Sequence, residues 1–210
     1  MTEFDWETFL RQWSERVIAS GEYDRQLEAF PEVLTSNWLG YPGATELQIK
    51  QSEARLGVTL SPSYREFLKI TNGWRMVGTM VPKLWSVEEI EWYPTRNQET
   101  LDYLLLDKSQ QPIEEYRRYK GDKTVYAYHS EEGSEVTEVS IDADLYSTTI
   151  EISQREIAGT GIYLLNPKVI TPEGEWETWF DAHWIPGTYI YDSFLKMMQQ
   201  EYKYIIESSY

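Results

Sequence analysis

From Thr45 to Gly73 the chain writes out two helices together with the signals that start and stop them, and no other stretch constrains its fold as much. Thr45-x-x-Gln48 is a capping box, in which the Thr45 hydroxyl and the Gln48 amide satisfy each other's unpaired backbone NH groups. The helix it opens sets Ile49 and Leu56 on its inner face and stops at Gly57, a residue free to take the left-handed conformation of a helix end. Ser61-Pro62 starts a second helix, with Ser61 as cap and Pro62 in the first turn, where its missing NH costs nothing. Tyr64, Phe67 and Leu68 make its buried stripe, and Asn72-Gly73 ends it. Ser86-x-x-Glu89 is a further capping box and predicts a short helix through Ile90 and Trp92.

Upstream, Trp6, Phe9, Leu10, Trp13 and Val17 share one face of an amphipathic helix that Asp5 or Thr2 can cap and Gly21 can end. Asp24 to Leu34 is a weaker helical segment, interrupted at Pro31. Asn37 to Gly43 reads as an irregular connector, which divides the chain into an N-terminal helical extension, residues 1–40, and a main domain, residues 41–210. Beyond about residue 120 the period changes to that of strands: Val125 to Tyr128, Val136 to Ile141, Ile150 to Ile152 and Gly161 to Leu165, with the apolar residues among Trp176, Trp179, Phe180 and Trp184 as one more. Near-alternation over Glu135–Ile141 and Thr148–Ile152 implies a sheet with one wet face. Asp192 caps a closing helix carrying Leu195, Met198, Tyr202 and Ile205. Helices, then strands, then a helix give an α+β fold: a central, mostly antiparallel sheet flanked by helices, with an extra N-terminal amphipathic helix.

The charge balance narrows the partners. The 210 residues carry 19 basic and 35 acidic side chains, a net charge of −16, which opposes nucleic acid and anionic membranes and favours basic partners. Residues 131–181 hold twelve acids against only Arg155 and Lys168. A set of solvated strand faces accounts for such a window, and so does a docking surface for a cationic partner. With no cysteine, disulfides and thiolate metal sites are excluded and a reducing, cytoplasmic setting is expected. No apolar run approaches the roughly 20 residues of a membrane span, and no signal peptide is visible.

Little in the sequence calls for catalysis, and no cofactor or metal is expected. His129 and His183 are the only imidazoles, and neither sits in an H-x-x-x-H or H-E-x-x-H spacing. Gly159-Thr160-Gly161 lacks the rest of a phosphate-binding loop. Paired carboxylates of the glycosidase kind would fall on Glu175 and Glu177, flanking Trp176; the plainer reading is alternation, acids outside and tryptophans inside. Among the many aromatics, Tyr93, Tyr116, Tyr119 and Tyr126 have polar neighbours and are expected to be partly exposed.

The run Ile49-x-x-x-Glu53-x-x-Leu56-Gly57-x-x-Leu60-x-Pro62-Ser63-Tyr64-x-x-Phe67-Leu68-x-x-x-Asn72-Gly73 resembles the SUKH superfamily, which includes the fungal cell-wall-assembly regulator of the Smi/Knr type and many bacterial immunity proteins. Leu84-Trp85-Ser86-x-Glu88-Glu89-Ile90-x-Trp92 is similar to its second signature, and Gly174 to Phe194 resembles the closing part of one branch. Together these cover roughly residues 40–205. Ser61, before Pro62, and the N-terminal helix Asp5–Ala19 depart from the core pattern; the helix is a subfamily decoration or an oligomerisation element.

The resemblance implies a protein-binding module without enzymatic activity. Immunity members block a toxin by binding it, and the fungal regulator connects signalling partners. For an immunity protein the acids Glu131, Glu132, Glu135, Glu138, Asp142 and Asp144 are the candidate contact residues, steered to a basic toxin domain. A scaffold or regulatory role and a carbohydrate-active enzyme remain the alternatives.

Overall fold

The structure, a computed structural model, describes residues 4–21, 23–75, 83–107, 117–120, 123–127, 137–140, 143–154, 161–182 and 188–208, with backbone alone for 104, 106–107, 117–120, 123–127, 137–140, 143–144 and 208. The first helix, α1 (Trp6–Ser20), starts where Asp5 accepts the Thr8 amide at 3.0 Å and ends at Gly21 with φ 69°. Pro31 splits the weak segment into α2 (Asp24–Leu27) and α3 (Pro31–Ser36). In the connector that follows, Gly43 lies so close to the end of the next helix pair that a Cβ there would stand 2.0 Å from the Lys69 carbonyl oxygen.

The punctuated stretch folds largely as its signals direct. Both arms of the Thr45–Gln48 box form around α4 (Glu46–Leu56), and Gly57 closes it at φ 71°. In α5 (Pro62–Ile70), however, the Ser61 side chain does not cap. Its place is taken by Glu175, whose carboxylate accepts the Ser63 amide at 2.9 Å and the Ser63 hydroxyl at 2.7 Å, an anion against the positive helix start.

A two-stranded ladder of β1 (Trp74–Arg75) and β2 (Lys83–Leu84) leads into the second signature. Ser86 to Glu89 makes a single turn rather than a helix: Glu89 accepts the Ser86 amide at 3.0 Å, but the chain then extends as β3 (Glu91–Trp92). The long helix comes next, as α6 (Tyr93–Asp107). Then follow β4 (Arg117–Lys120), β5 (Lys123–Ala127), β6 (Thr137–Ser140), α7 (Ala143–Tyr146), β7 (Ile150–Glu151), β8 (Ile162–Ile170), β9 (Trp176–Asp181), β10 (Thr188–Tyr191) and α8 (Phe194–Ser208). Ser193, not Asp192, caps α8, accepting the Lys196 amide at 3.1 Å.

Eight strands form one sheet in the order β3-β7-β8-β9-β10-β6-β5-β4, and every pairing is antiparallel. Its centre is buried on both sides, against the expectation of a wet face over Thr148–Ile152. Consecutive residues of β9 serve opposite cores. Phe180 joins Tyr163, Leu165 and Tyr191 under α1, α5 and α8, while Trp179 joins Leu164, Ile190, Tyr93 and Tyr146 on the α6–α7 side. Strands covered on both faces lose the alternation that marks a half-exposed sheet. The N-terminal helix shares the larger core: Trp6 packs on Phe67 and Phe194, and Trp13 on Trp74 and Tyr202.

Within α8 the half-buried Glu201 accepts hydrogen bonds from the buried hydroxyls of Tyr191, at 3.1 Å, and Tyr163. Burial outweighs those two bonds and pushes its carboxyl up to about 7. The folded value lies above the unfolded 4.5, so the fold favours the neutral acid. That contribution is complete at low pH and is lost as pH rises through the folded value. Stability should therefore fall by about 2 kcal/mol between roughly pH 5 and pH 8, and Glu201→Gln should flatten that part of a urea-denaturation pH profile. An unchanged slope in the variant would count against this assignment.

Candidate interaction surface

The two signatures of the resemblance turn out to hold one another. Asn72 accepts the Val87 amide at 2.7 Å and donates to Glu88 at 2.9 Å, while Gln48 donates to the other Glu88 oxygen at 2.6 Å. Burial alone would raise the Glu88 carboxyl, but the bonds from Asn72, its own amide and Gln48 together hold it below the ordinary carboxylate value. Ser52 donates to the Val87 carbonyl at 2.7 Å, and Arg55 reaches the Ile90 carbonyl at 2.8 Å and Glu91 at 2.6 Å. These residues fasten the turn after β2 onto α4, so the motif is a clasp of the fold.

The acidic window divides by role. Glu151 is buried and accepts from Asn97 at 2.6 Å, with Arg96 at 3.5 Å. Glu175 caps α5, and Asp181 accepts from Tyr146 at 2.8 Å and Thr188 at 3.2 Å. Glu177 is 1 % exposed and accepts the Trp179 indole NH at 3.2 Å; the outward position expected of it is corrected, because the far face of β9 is also covered. Both acids of the glycosidase reading are thus engaged in holding structure.

Of the candidate contact acids, Glu138 lies on β6 opposite Tyr189 of β10, and Asp144 on α7. Glu131, Glu132, Glu135 and Asp142 fall outside the described residues, as do His129, His183 and Tyr116. Tyr119 and Tyr126 lie on β4 and β5. Tyr93 is 1 % exposed, not partly exposed, because it packs beside Tyr146 in the smaller core. Among the described residues no group of His, Asp and Glu is arranged to hold a metal ion, and no helix is long and apolar enough to cross a membrane.

A second feature stands at the other side of the sheet, where Leu84 of β2 bridges to Ser153, two residues past the end of β7. Rings and cations alternate there. Arg75 lies 5.2 Å from the Phe30 ring and 3.8 Å from that of Tyr41. Lys83 follows, 5.5 Å from Tyr41 and 5.0 Å from Trp85, and Arg96 covers Trp85 at 5.5 Å. All these separations lie within cation–π range. Its six members come from five stretches of chain, so no spacing in the sequence announces them.

A family model described as SMI1 / KNR4 family (SUKH-1) matches residues 43–200, from just before the Thr45 box into α8. The chain belongs to the SMI1/KNR4 family, SUKH-1. No curated protein matches it. The SUKH-1 match takes in the clasp, the sheet and the first half of α8, while α1, α2, α3, Phe30 and Tyr41 precede it. Part of the ring–cation stack is therefore built by residues outside the SUKH-1 region.

Proposed function

We propose that the protein is a non-enzymatic, cytoplasmic binding module that neutralises a basic toxin domain by covering it with the acidic segment from Glu131 to Asp144. The supporting observation is charge: six acids crowd this segment around β6, while most of the other acids in the wider window are taken up inside the fold. An acidic surface of this kind accelerates encounter with a cationic partner and gives the complex a marked salt dependence. Reversing Glu131, Glu132, Glu135 and Glu138 to lysine should weaken binding to the cognate toxin at least tenfold, roughly 1.4 kcal/mol, and flatten its salt dependence. Calorimetric titration at two ionic strengths checks both, and an unaltered affinity with unaltered salt dependence would rule the segment out.

A scaffold or regulatory role of the Smi/Knr type is supported by the ring–cation stack, which gives the molecule a second surface of different chemistry. Material co-purified from native cells at low salt and lost at high salt separates the two. A basic toxin domain favours immunity; regulatory or envelope-synthesis proteins favour the scaffold.

A further inference from the structure

We propose that the Trp85 end of the ring–cation stack is a second docking surface, one that takes an acidic protein segment whose carboxylates alternate with apolar side chains. The stack has two unequal ends. Arg75 is 9 % exposed and its guanidinium is consumed by the Leu39 and Gly40 carbonyls and Glu32; this end is structural. At the other end Lys83 is 26 % and Arg96 36 % exposed, and the half-buried Trp85 ring lies between them.

Both cations hold their carboxylates loosely. Lys83 meets Glu89 at 3.3 Å, and Glu89 is already accepting the Ser86 amide at 3.0 Å. Arg96 meets Glu151 at 3.5 Å, and Glu151 is buried and bonded to Asn97 at 2.6 Å. Arg96 also donates through Nη2 to the Glu89 carbonyl; the donors of Lys83 and Arg96 that remain lie at the rim of an indole face, the combination of Trp and Arg on which binding energy concentrates. Complementary charge decides the occupant: a carboxylate completes the two cations, and an apolar neighbour covers the ring.

The chain's net charge of −16 does not defeat this. Strands β3 and β6 are five interstrand steps apart in the sheet, roughly 24 Å, and the Debye length in physiological salt is about 8 Å. The acids around β6 are screened from the stack, so its own groups govern what it meets: Lys83 and Arg96, beside Glu89 and the buried Glu151. This inference does not depend on the acidic segment's role.

The test uses the full chain and a short fluorescein-labelled peptide alternating Glu with Leu and Phe, read by anisotropy against the same peptide with Gln in place of Glu. Wild type should bind the Glu peptide at least tenfold more tightly than the Gln peptide. Lys83→Met with Arg96→Gln, which keeps an apolar stem on the ring and a donor near Glu151, should abolish that preference. The four-lysine reversal around β6 should leave it intact. Equal binding of the two peptides by wild type, or an undiminished preference in the folded double variant, would overturn the proposal. If the double variant does not fold, Lys83→Met alone should cut the preference several-fold, its partner Glu89 being 42 % exposed, and no change would be equally fatal.

Discussion

Phe194→Ala should cost about 4 kcal/mol of folding stability, measured by urea denaturation with the slope of the transition unchanged. The ring is fully buried at the first position of α8, with centroids 4.8 Å from Tyr64, 4.9 Å from Phe67 and 5.9 Å from Trp6. Removing it leaves a void walled by three large, stiff aromatic side chains that cannot collapse into it, which places the loss toward the upper part of the range for such truncations. The contact also joins α8 to α1 and α5, helices far from it in sequence. Amide exchange in α1, at Leu10 and Trp13, should therefore accelerate together with that of α8. Protection of α1 unchanged while α8 loosens would show that the N-terminal helix is held by other means.

Arg75→Ala should cost about 3 kcal/mol, because hydrogen bonds from a charged donor contribute roughly 1.5–3 kcal/mol each and two of the acceptors are buried carbonyls. Nη1 donates to Gly40 at 2.7 Å and Leu39 at 3.2 Å, and Nη2 to Glu32 at 2.9 Å. The flat guanidinium is also what packs 3.8 Å from the Tyr41 ring. Lysine keeps the charge but not the fork or the plane, so Arg75→Lys should recover less than half of the loss. Thermal unfolding of the two variants beside wild type checks this; a cost below about 1 kcal/mol for alanine would mean that water satisfies the two carbonyls.

The order in which the chain could be read follows from where its information is local. The starts of α1, α4 and α5, and the breaks at Gly21, Pro31 and Gly57, are set within a few residues and were legible. So was the α+β class, through the change of period. The capping of α5 was not, because Glu175 reaches Ser63 from the far end of the chain. Nor was the second covered face of β7, β8 and β9, whose cause is α6, a helix hidden behind a capping box that closes only one turn. The short strands β1, β2 and β3 carry too few residues for a period to show. The acids illustrate the same limit: twelve look alike in the window from 131 to 181, yet Glu151 and Glu177 lie in the interior. Only the cross-strand and cross-helix neighbours distinguish them. The ring–cation stack is assembled wholly from distant segments and left no trace in the sequence.

The meeting of Trp6 with Phe194 also has a consequence for how the protein is made. At ribosomal rates of about 5–20 residues per second, α1 emerges roughly 10–40 s before the helix that completes its core. Through that interval its rings have Phe67 and Trp74 but lack Phe194 and Tyr202, and closing so long a loop must wait for the last strands and α8. Nascent chains of this protein should therefore engage chaperones through α1, and release should coincide with the emergence of α8 rather than with completion of the sheet.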